Sequence, residues 1–460
     1  MTARLLTSER RAISGLAGLY ATRMLGLFMV LPVLALYAED LAGATPLLVG
    51  LALGAYGLTQ AIFQIPFGLL SDRIGRKVVI AGGLLLFALG SVIAAEADSI
   101  ATVIVGRCLQ GSGAVAGAIM ALLADQTREE IRTAAMATIG LSIGVAFAIA
   151  MVVGPLMAAQ FGLTSVFWLT AVLALASLLV LWRLVPAAPR VARHQDVGLD
   201  RQQLRITLTS SSLLRLDFSI FALHTILTAA FVAVPFRLVN VGIEAASQGW
   251  VYLAVMGLAF VGMVPLVIVA EKRRRMKSTF IGAVAGMTLV LLALGELGHQ
   301  RWTLIGLLWA FFVAFNLLEA TLPSMISKLA PAGAKGTAMG VYSTSQFLGA
   351  FLGGVLGGAL SQRFGYDAVF LGGALLGAVW LAVIWKMPAP RHLSSEIVTL
   401  DEHPADALDT LMARFADVAG VEDVLVVPEE RVAYLKVDRQ RLDAEALARV
   451  AGTRHDSRGA

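Results

Sequence analysis

GLLSDRIGRK, residues 68–77, packs charge and turn-forming residues between two apolar stretches, 46–70 and 78–97. At 1.5 Å per residue each stretch is long enough to cross about 30 Å of hydrocarbon as a helix. Hydrocarbon leaves backbone groups no outside partner, so the two stretches must satisfy themselves as helices and the decapeptide must reverse the chain at the membrane surface. The sequence predicts a tight hairpin loop there.

The composition agrees. Of 460 residues, 58% are hydrophobic and 15% charged, and the mean hydropathy is +0.80, more apolar than a water-soluble core of this size requires. The net charge of +5 does not indicate nucleic acid, because the Lys and Arg residues occupy short segments between apolar spans, where topology control places them. The single cysteine, Cys108, lies within an apolar span and has no partner for an internal disulfide. The first apolar stretch, 13–38, is too long for a signal peptide and shows no cleavage site. It reads as a membrane helix.

About twelve spans emerge, at 13–37, 46–70, 78–97, 99–124, 134–159 and 164–185, then 213–238, 248–270, 278–298, 302–327, 336–361 and 366–387. The expected fold class is an all-α polytopic membrane protein with two six-helix bundles, 1–185 and 213–390, joined by a polar linker, 186–212. Arg10, Arg11, Arg73, Arg76, Lys77, Arg128, Arg132, the linker arginines, Lys272 to Arg275, Lys328 and Lys335 fall on one side. The positive-inside rule makes that side cytoplasmic, with both termini. Two such halves suit a transporter that rocks about a central site in the lipid bilayer.

After Pro388-Ala389-Pro390 the composition changes, and residues 394–460 predict strands at 396–400, 424–427 and 431–437 with helices at 404–418 and 443–450. This β-α-β-β-α order suggests a small α+β ferredoxin-like cytoplasmic domain. Its wording resembles heavy-metal-associated domains, but the Cys-x-x-Cys that binds a soft metal is missing, which excludes thiolate metal transfer. Docking on the transporter or self-association remains open for it.

The residues resemble the major facilitator superfamily. Gly68, Asp72, Arg73, Gly75, Arg76 and Lys77 fill every position of the family signature between helices 2 and 3, and Arg107, Gln110, Gly111 and Gly113 complete a second on helix 4. A third, the antiporter motif of helix 5, is partial: Gly154 and Pro155 are present, while Leu141 and Ala150 stand where glycines are expected. Residues 336–354 and the small tail domain resemble the proton-driven exporters of that superfamily. The resemblance implies an inner-membrane location in a bacterium and a conformational gate, with Asp72 facing the start of helix 11 near Gly336 and Arg76 paired with Asp125.

Ionisable groups inside spans cost at least about 2.5–3.5 kcal/mol at a helix centre, so each is a functional candidate. Arg107 belongs to the signature that the family links to proton coupling; His224 and Glu319 are the titratable candidates of the second half, with Asn316 or Lys328 as possible neighbours of Glu319. Arg23, Gln60, Gln64, Gln110, Asn316, Tyr342 and Gln346 are candidates for the substrate cavity. Gln60 with Gln64, and Tyr342 with Gln346, share helix faces at i, i+4, although bonding between helices is the commoner role for such groups. Glycines 349, 353, 354, 357 and 358 suit helix packing rather than a nucleotide site. Nothing suggests an enzyme, a cofactor or a metal site.

The leading expectation is a secondary transporter exporting a small amphipathic or drug-like molecule against protons. The alternatives are an uptake symporter or facilitator, and a membrane sensor that moves nothing.

Overall fold

The computed structural model describes residues 5–186, 201–273, 275–330, 335–387, 394–399, 408–427, 432–438 and 441–451. The first crossing is α1 (Thr7–Met29) and α2 (Leu31–Tyr37), broken where Pro32 has no N–H to return to residue 28. The second and third are α3 (Pro46–Ile74) and α4 (Arg76–Ala95). The chain reverses within the decapeptide as expected, but over fewer residues: α3 continues helically through Ile74, and the reversal is made by Gly75 at φ 107°, a conformation that other residues adopt only under strain.

The fourth crossing, α5 (Ile100–Ser112) and α6 (Ala116–Asp125), breaks at Gly113. Then α7 (Glu129–Arg183) runs 55 residues with one non-helical residue, Gly162, at φ 75°. It makes two crossings. Ser142 Oγ reaches Ala17 O and Gly154 abuts Met29, so the first leg runs alongside α1. Beyond Gly162, Thr170 bonds to Gly26, Ser177 to Thr22, and Val185 abuts Gly15, so the second leg runs back down α1.

The linker is partly structured: residues 201–212 contain α8 (Arg201–Thr209) and the start of α9 (Ser211–Asn240), while 187–200 lie outside the described residues. The second bundle continues with α10 (Ala245–Lys272), α11 (Met276–Leu297), α12 (Arg301–Leu329), α13 (Lys335–Phe364) and α14 (Tyr366–Trp385). Exposed Trp182 and Trp385 mark one rim of the bundles, Trp250 and Trp302 the other, as expected of side chains at the two bilayer interfaces.

The bundles meet through α3 against α13, α7 against α10 and α2 against α9. One apolar core runs through both, joining Met29, Val49 and Phe147 to Leu227, Phe231 and Leu318. A second, around Leu16, Val79, Leu84 and Leu122, is built of buried first-bundle residues with Phe347 of α13 packed against it, and lies toward the GLLSDRIGRK end, the motif face. On the opposite face the helices touch backbone to backbone: a Cβ on Gly50 would stand 2.2 Å from the Gly354 carbonyl, and one on Gly358 2.5 Å from that of Pro46. Toward the motif face, a Cβ on Gly68, Gly336 or Gly340 would meet nothing within 4 Å. The seam of α3 and α13 is thus sealed at one end, and the described glycines toward its other end meet no opposing helix.

The tail forms β1 (Ser394–Thr399), α15 (Leu408–Ala416), β2 (Val421–Val427), β3 (Val432–Val437) and α16 (Ala444–Ala451). Both β1 and β2 pair antiparallel with β3, giving the order β1-β3-β2. Leu411, Phe415, Leu435, Val437 and Leu447 form its core. The expected turn at 428–430 and any last strand beyond 451 lie outside the described residues.

Candidate functional site

Midway along the bundles lie three groups of polar side chains. In the first half, Arg23 is fully buried, and its Nη2 donates to Tyr56 Oη (2.9 Å), Gln60 Oε1 (2.9 Å) and Gly113 O (3.0 Å). The last acceptor is available because the helix breaks at Gly113. The Phe87 ring lies 5.5 Å from the guanidinium. Gln60 Nε2 continues to Gln64 Oε1 at 3.4 Å.

Arg107 is equally enclosed. It donates to Ala52 O (3.2 Å), Leu53 O (3.4 Å) and Gln110 Oε1 (2.8 Å), and Gln110 passes on to Ser91 Oγ (2.8 Å). Gly111 makes this possible, since a Cβ there would stand 2.1 Å from Thr59 Oγ1 and 2.2 Å from Tyr56 O. Neither arginine meets a carboxylate among the described residues; each is held by neutral acceptors, which lowers the cost of burying it. Arg23, Gln60 and Gln110, expected to line a substrate cavity, are enclosed within the first bundle in this conformation, each at 0% exposure. The physical reason is the cations' demand for acceptors, which draws the glutamines inward. Gln64, at 8%, lies at the edge of the same network.

At the motif face, Arg76 Nε donates to Asp125 Oδ2 at 3.1 Å and Nη1 to Ser71 Oγ at 2.9 Å, and Arg76 also pairs with Asp72. The carboxylate of Asp72 is thus held by Arg76 at the start of α4, and no hydrogen bond from the described residues of α13 reaches it. Lys77 Nζ donates to Val185 O at 2.6 Å over the Trp182 ring, and Gln126 Nε2 donates to Pro186 O at 2.7 Å. Gly68 and Arg73 face outward from this cluster. Nearby, Glu9, buried at the start of α1, forms an ion pair with Arg128 at 2.8 Å.

In the second half, Gln346 on α13 joins α9 to α12. Its Nε2 lies 2.9 Å from His224 Nε2 and 3.4 Å from Glu319 Oε1, while His224 Nε2 stands 3.9 Å from Glu319 Oε2. His224 Nδ1 is 3.3 Å from Ile220 O. A carbonyl only accepts, which assigns the proton to Nδ1 and leaves Nε2 to accept from Gln346. Glu319 keeps 38% of its side-chain surface accessible, where His224 keeps 14%. Its neighbours are Gln346 and His224 rather than Lys328, whose Nζ lies 3.3 Å from Met276 Sδ. Asn316 Nδ2 and the Tyr342 hydroxyl are buried without hydrogen-bond partners among the described residues.

Aromatic rings connect the halves. Phe28 and Phe147 lie 4.9 Å apart, Phe147 and Phe315 6.2 Å, and Phe315 and His224 6.1 Å, while Tyr56 meets Phe347 at 6.2 Å. These rings form an apolar floor between the bundles, with Glu319, Gln346 and His224 beside it.

Sequence reasoning missed three charged groups. Glu9 and Arg128 are one; Arg237, paired with Asp367 and 2.7 Å from His299 Nδ1, is another. The third is Asp217 on α9, buried with both carboxylate oxygens unpartnered among the described residues. Its signal was available: Asp217 and His224 are seven residues apart, on one helix face.

The family model described as Major Facilitator Superfamily matches residues 16–231 and 216–428. The inner membrane transport protein YajR of Escherichia coli is 48% identical over 447 residues, which is 96% of this chain and 98% of that protein. The multidrug resistance protein MdtH of Yersinia enterocolitica is 27% identical over 330 residues, 69% of this chain and 78% of that protein. Among solved structures, a D-xylose-proton symporter superposes with a TM-score of 0.67 at 15% identity, covering 83% of this chain and 98% of the symporter.

Proposed function

The chain belongs to the major facilitator superfamily, and we propose that this integral membrane transporter exports a small amphipathic or drug-like molecule in exchange for protons. The observation that carries the reading is Glu319. It is an intramembrane carboxyl, tied by Gln346 to His224, beside an aromatic floor between the bundles. A carboxyl so placed can exchange a proton for a passing molecule as the halves rock. Each proton moving down about 100 mV adds roughly 2.3 kcal/mol of drive. The likeness to MdtH, a multidrug resistance protein, supports efflux of drug-like cargo.

The motif face is the cytoplasmic one on this reading, and the conformation is inward-open. Asp72, Arg76 and Asp125 are the gate: their cluster is complete within the first bundle, and closing the motif face would bring the start of α13 to Asp72, where a helix N-terminus attracts a carboxylate. Arg107 acts as a structural cross-brace. The tail reads as a ferredoxin-like unit, supported by its β1-β3-β2 order and two helices, and is a candidate for docking on the bundles or self-association.

The test is flux in proteoliposomes carrying an internal pH indicator. Dye-like cations and neutral amphiphiles are screened first by thermal shift, and hits are then assayed in both membrane orientations. The expected result is hit-dependent proton movement that Glu319→Gln abolishes while ligand binding persists. Proton movement unchanged in that variant, or transport indifferent to the pH gradient, overturns the reading.

A further inference from the structure

The second bundle buries another carboxyl that the Glu319 cluster leaves unused. Asp217 is 5% exposed, six residues into α9, and neither oxygen has a hydrogen-bond partner among the described residues. The nearest cation in sequence, Arg215, is engaged elsewhere, donating to Lys386 O at 3.3 Å. From α14, Trp380 spends its Nε1 on Ser219 Oγ at 2.9 Å. The titratable group that faces Asp217 from α13 is Tyr342, which also interacts with Glu319 of α12, and about 10 Å along its own helix stands His224.

The backbones of α9 and α13 run side by side. A Cβ on Gly349 would stand 2.2 Å from Phe221 O, and one on Gly353 2.3 Å from Thr225 O. This register sets Tyr342 within about one turn of the level of Asp217. The Tyr342 hydroxyl is buried at 3% exposure, has no hydrogen-bond partner among the described residues and lies within electrostatic reach of both Asp217 and Glu319. Oε2 of Glu319 is unpartnered too. Three polar groups that are costly to bury thus lie near one another below the aromatic floor, with no Lys or Arg paired to them among the described residues.

Resting on the proton-coupled reading above, we infer that Asp217 is a proton-binding site that loads from the motif face and serves Glu319 through the Tyr342 hydroxyl. In the transfer, the O–H bond of the Asp217 acid breaks as its proton passes to the Tyr342 oxygen. The phenolic proton leaves for Glu319 Oε2. Asp217 is left a carboxylate, Glu319 becomes the acid, and tyrosine is unchanged.

Infrared titration of the purified full-length protein tests this without any transported ligand, because a buried acid absorbs apart from the amide bands. The wild type should show two titrating acid bands, one moved by 13C-carboxyl aspartate and the other by 13C-carboxyl glutamate. Asp217→Asn should lose the first band and Glu319→Gln the second, and Asp217→Glu should return the lost band under the glutamate label. Tyr342→Phe should keep both bands and slow proton arrival at Glu319 after a pH jump. Size-exclusion profiles and thermal unfolding verify that each variant is folded. Absence of an aspartate band from the wild type, or its persistence in Asp217→Asn, overturns the inference. An aspartate band that behaves as expected beside a missing glutamate band sustains Asp217 and overturns the carrier role of Glu319 instead.

Discussion

The backbone N–H of Leu47, in the first turn of α3, donates to Oε1 of Gln362, in the last turn of α13, at 3.1 Å. First-turn N–H groups have no partner inside their own helix, so a side chain from one bundle caps a helix of the other, on the face where the seam is sealed. The motif face carries the reciprocal arrangement of parts, with Asp72 near the end of α3 and the start of α13 on the same side. A cap is worth about 1 kcal/mol, so Gln362→Ala should shift the balance between conformers about fivefold toward opening of the sealed face. In a Cys108→Ser background, a cysteine replacing buried Val49 should react faster with a membrane-impermeant thiol reagent once Gln362 is truncated. An unchanged rate would show that the cap contributes nothing to the seal.

The glycine seam should be less forgiving. A Cβ on Gly354 would lie 2.2 Å from Gly50 O and 2.8 Å from Gly54 N, and both obstacles are backbone. Overpacking of this kind costs about 1–3 kcal/mol, enough to move the conformer balance by roughly fivefold to a hundredfold. Spin labels placed across the sealed face should report longer distances in Gly354→Ala. The matching control is Gly336→Ala, where the added methyl meets nothing within 4 Å and the distances should stay as they are.

The Arg23 network yields a comparison of variants. Removing an acceptor while keeping the cation leaves a buried charge short of partners, which costs more than removing both sides of the contact. Gln60→Leu should therefore lower the unfolding temperature in detergent more than the double variant Arg23→Met with Gln60→Leu. If the double variant is the less stable, the arginine is a net contributor to stability and the ranking fails.

The crossings were legible because hydrocarbon imposes a length, and runs of roughly twenty apolar residues are hard to mistake. How the chain turns between them was much less so. Gly75 and Gly162 each reverse it in a single residue, and whether a glycine bends or merely packs depends on a backbone angle that its neighbours in sequence do not reveal. The helix breaks at Val30 and Gly113 fall inside spans of membrane length, and span length does not tell whether a proline or glycine within it interrupts the helix. At the site, residue types were readable and facing directions were not. Arg23 reads in the sequence only as a polar group within a span, and nothing there shows that Gly113 O, ninety positions away, is one of its acceptors. Asp217 escaped because a lone acid near the start of a span reads as an interfacial group, and only the packing of α13 against α9 shows it to be buried.

The bonds from Lys77 to Val185 O and from Gln126 to Pro186 O grip the chain as it leaves the first bundle. Both acceptors are main-chain carbonyls, so the grip is indifferent to which side chains stand at 185 and 186 and survives drift in their identity. Its two donors adjoin Arg76 and Asp125. Tension on the chain beyond residue 186 is therefore delivered to the neighbours of that ion pair, which makes the exit of the first bundle a mechanical lever on the motif-face cluster.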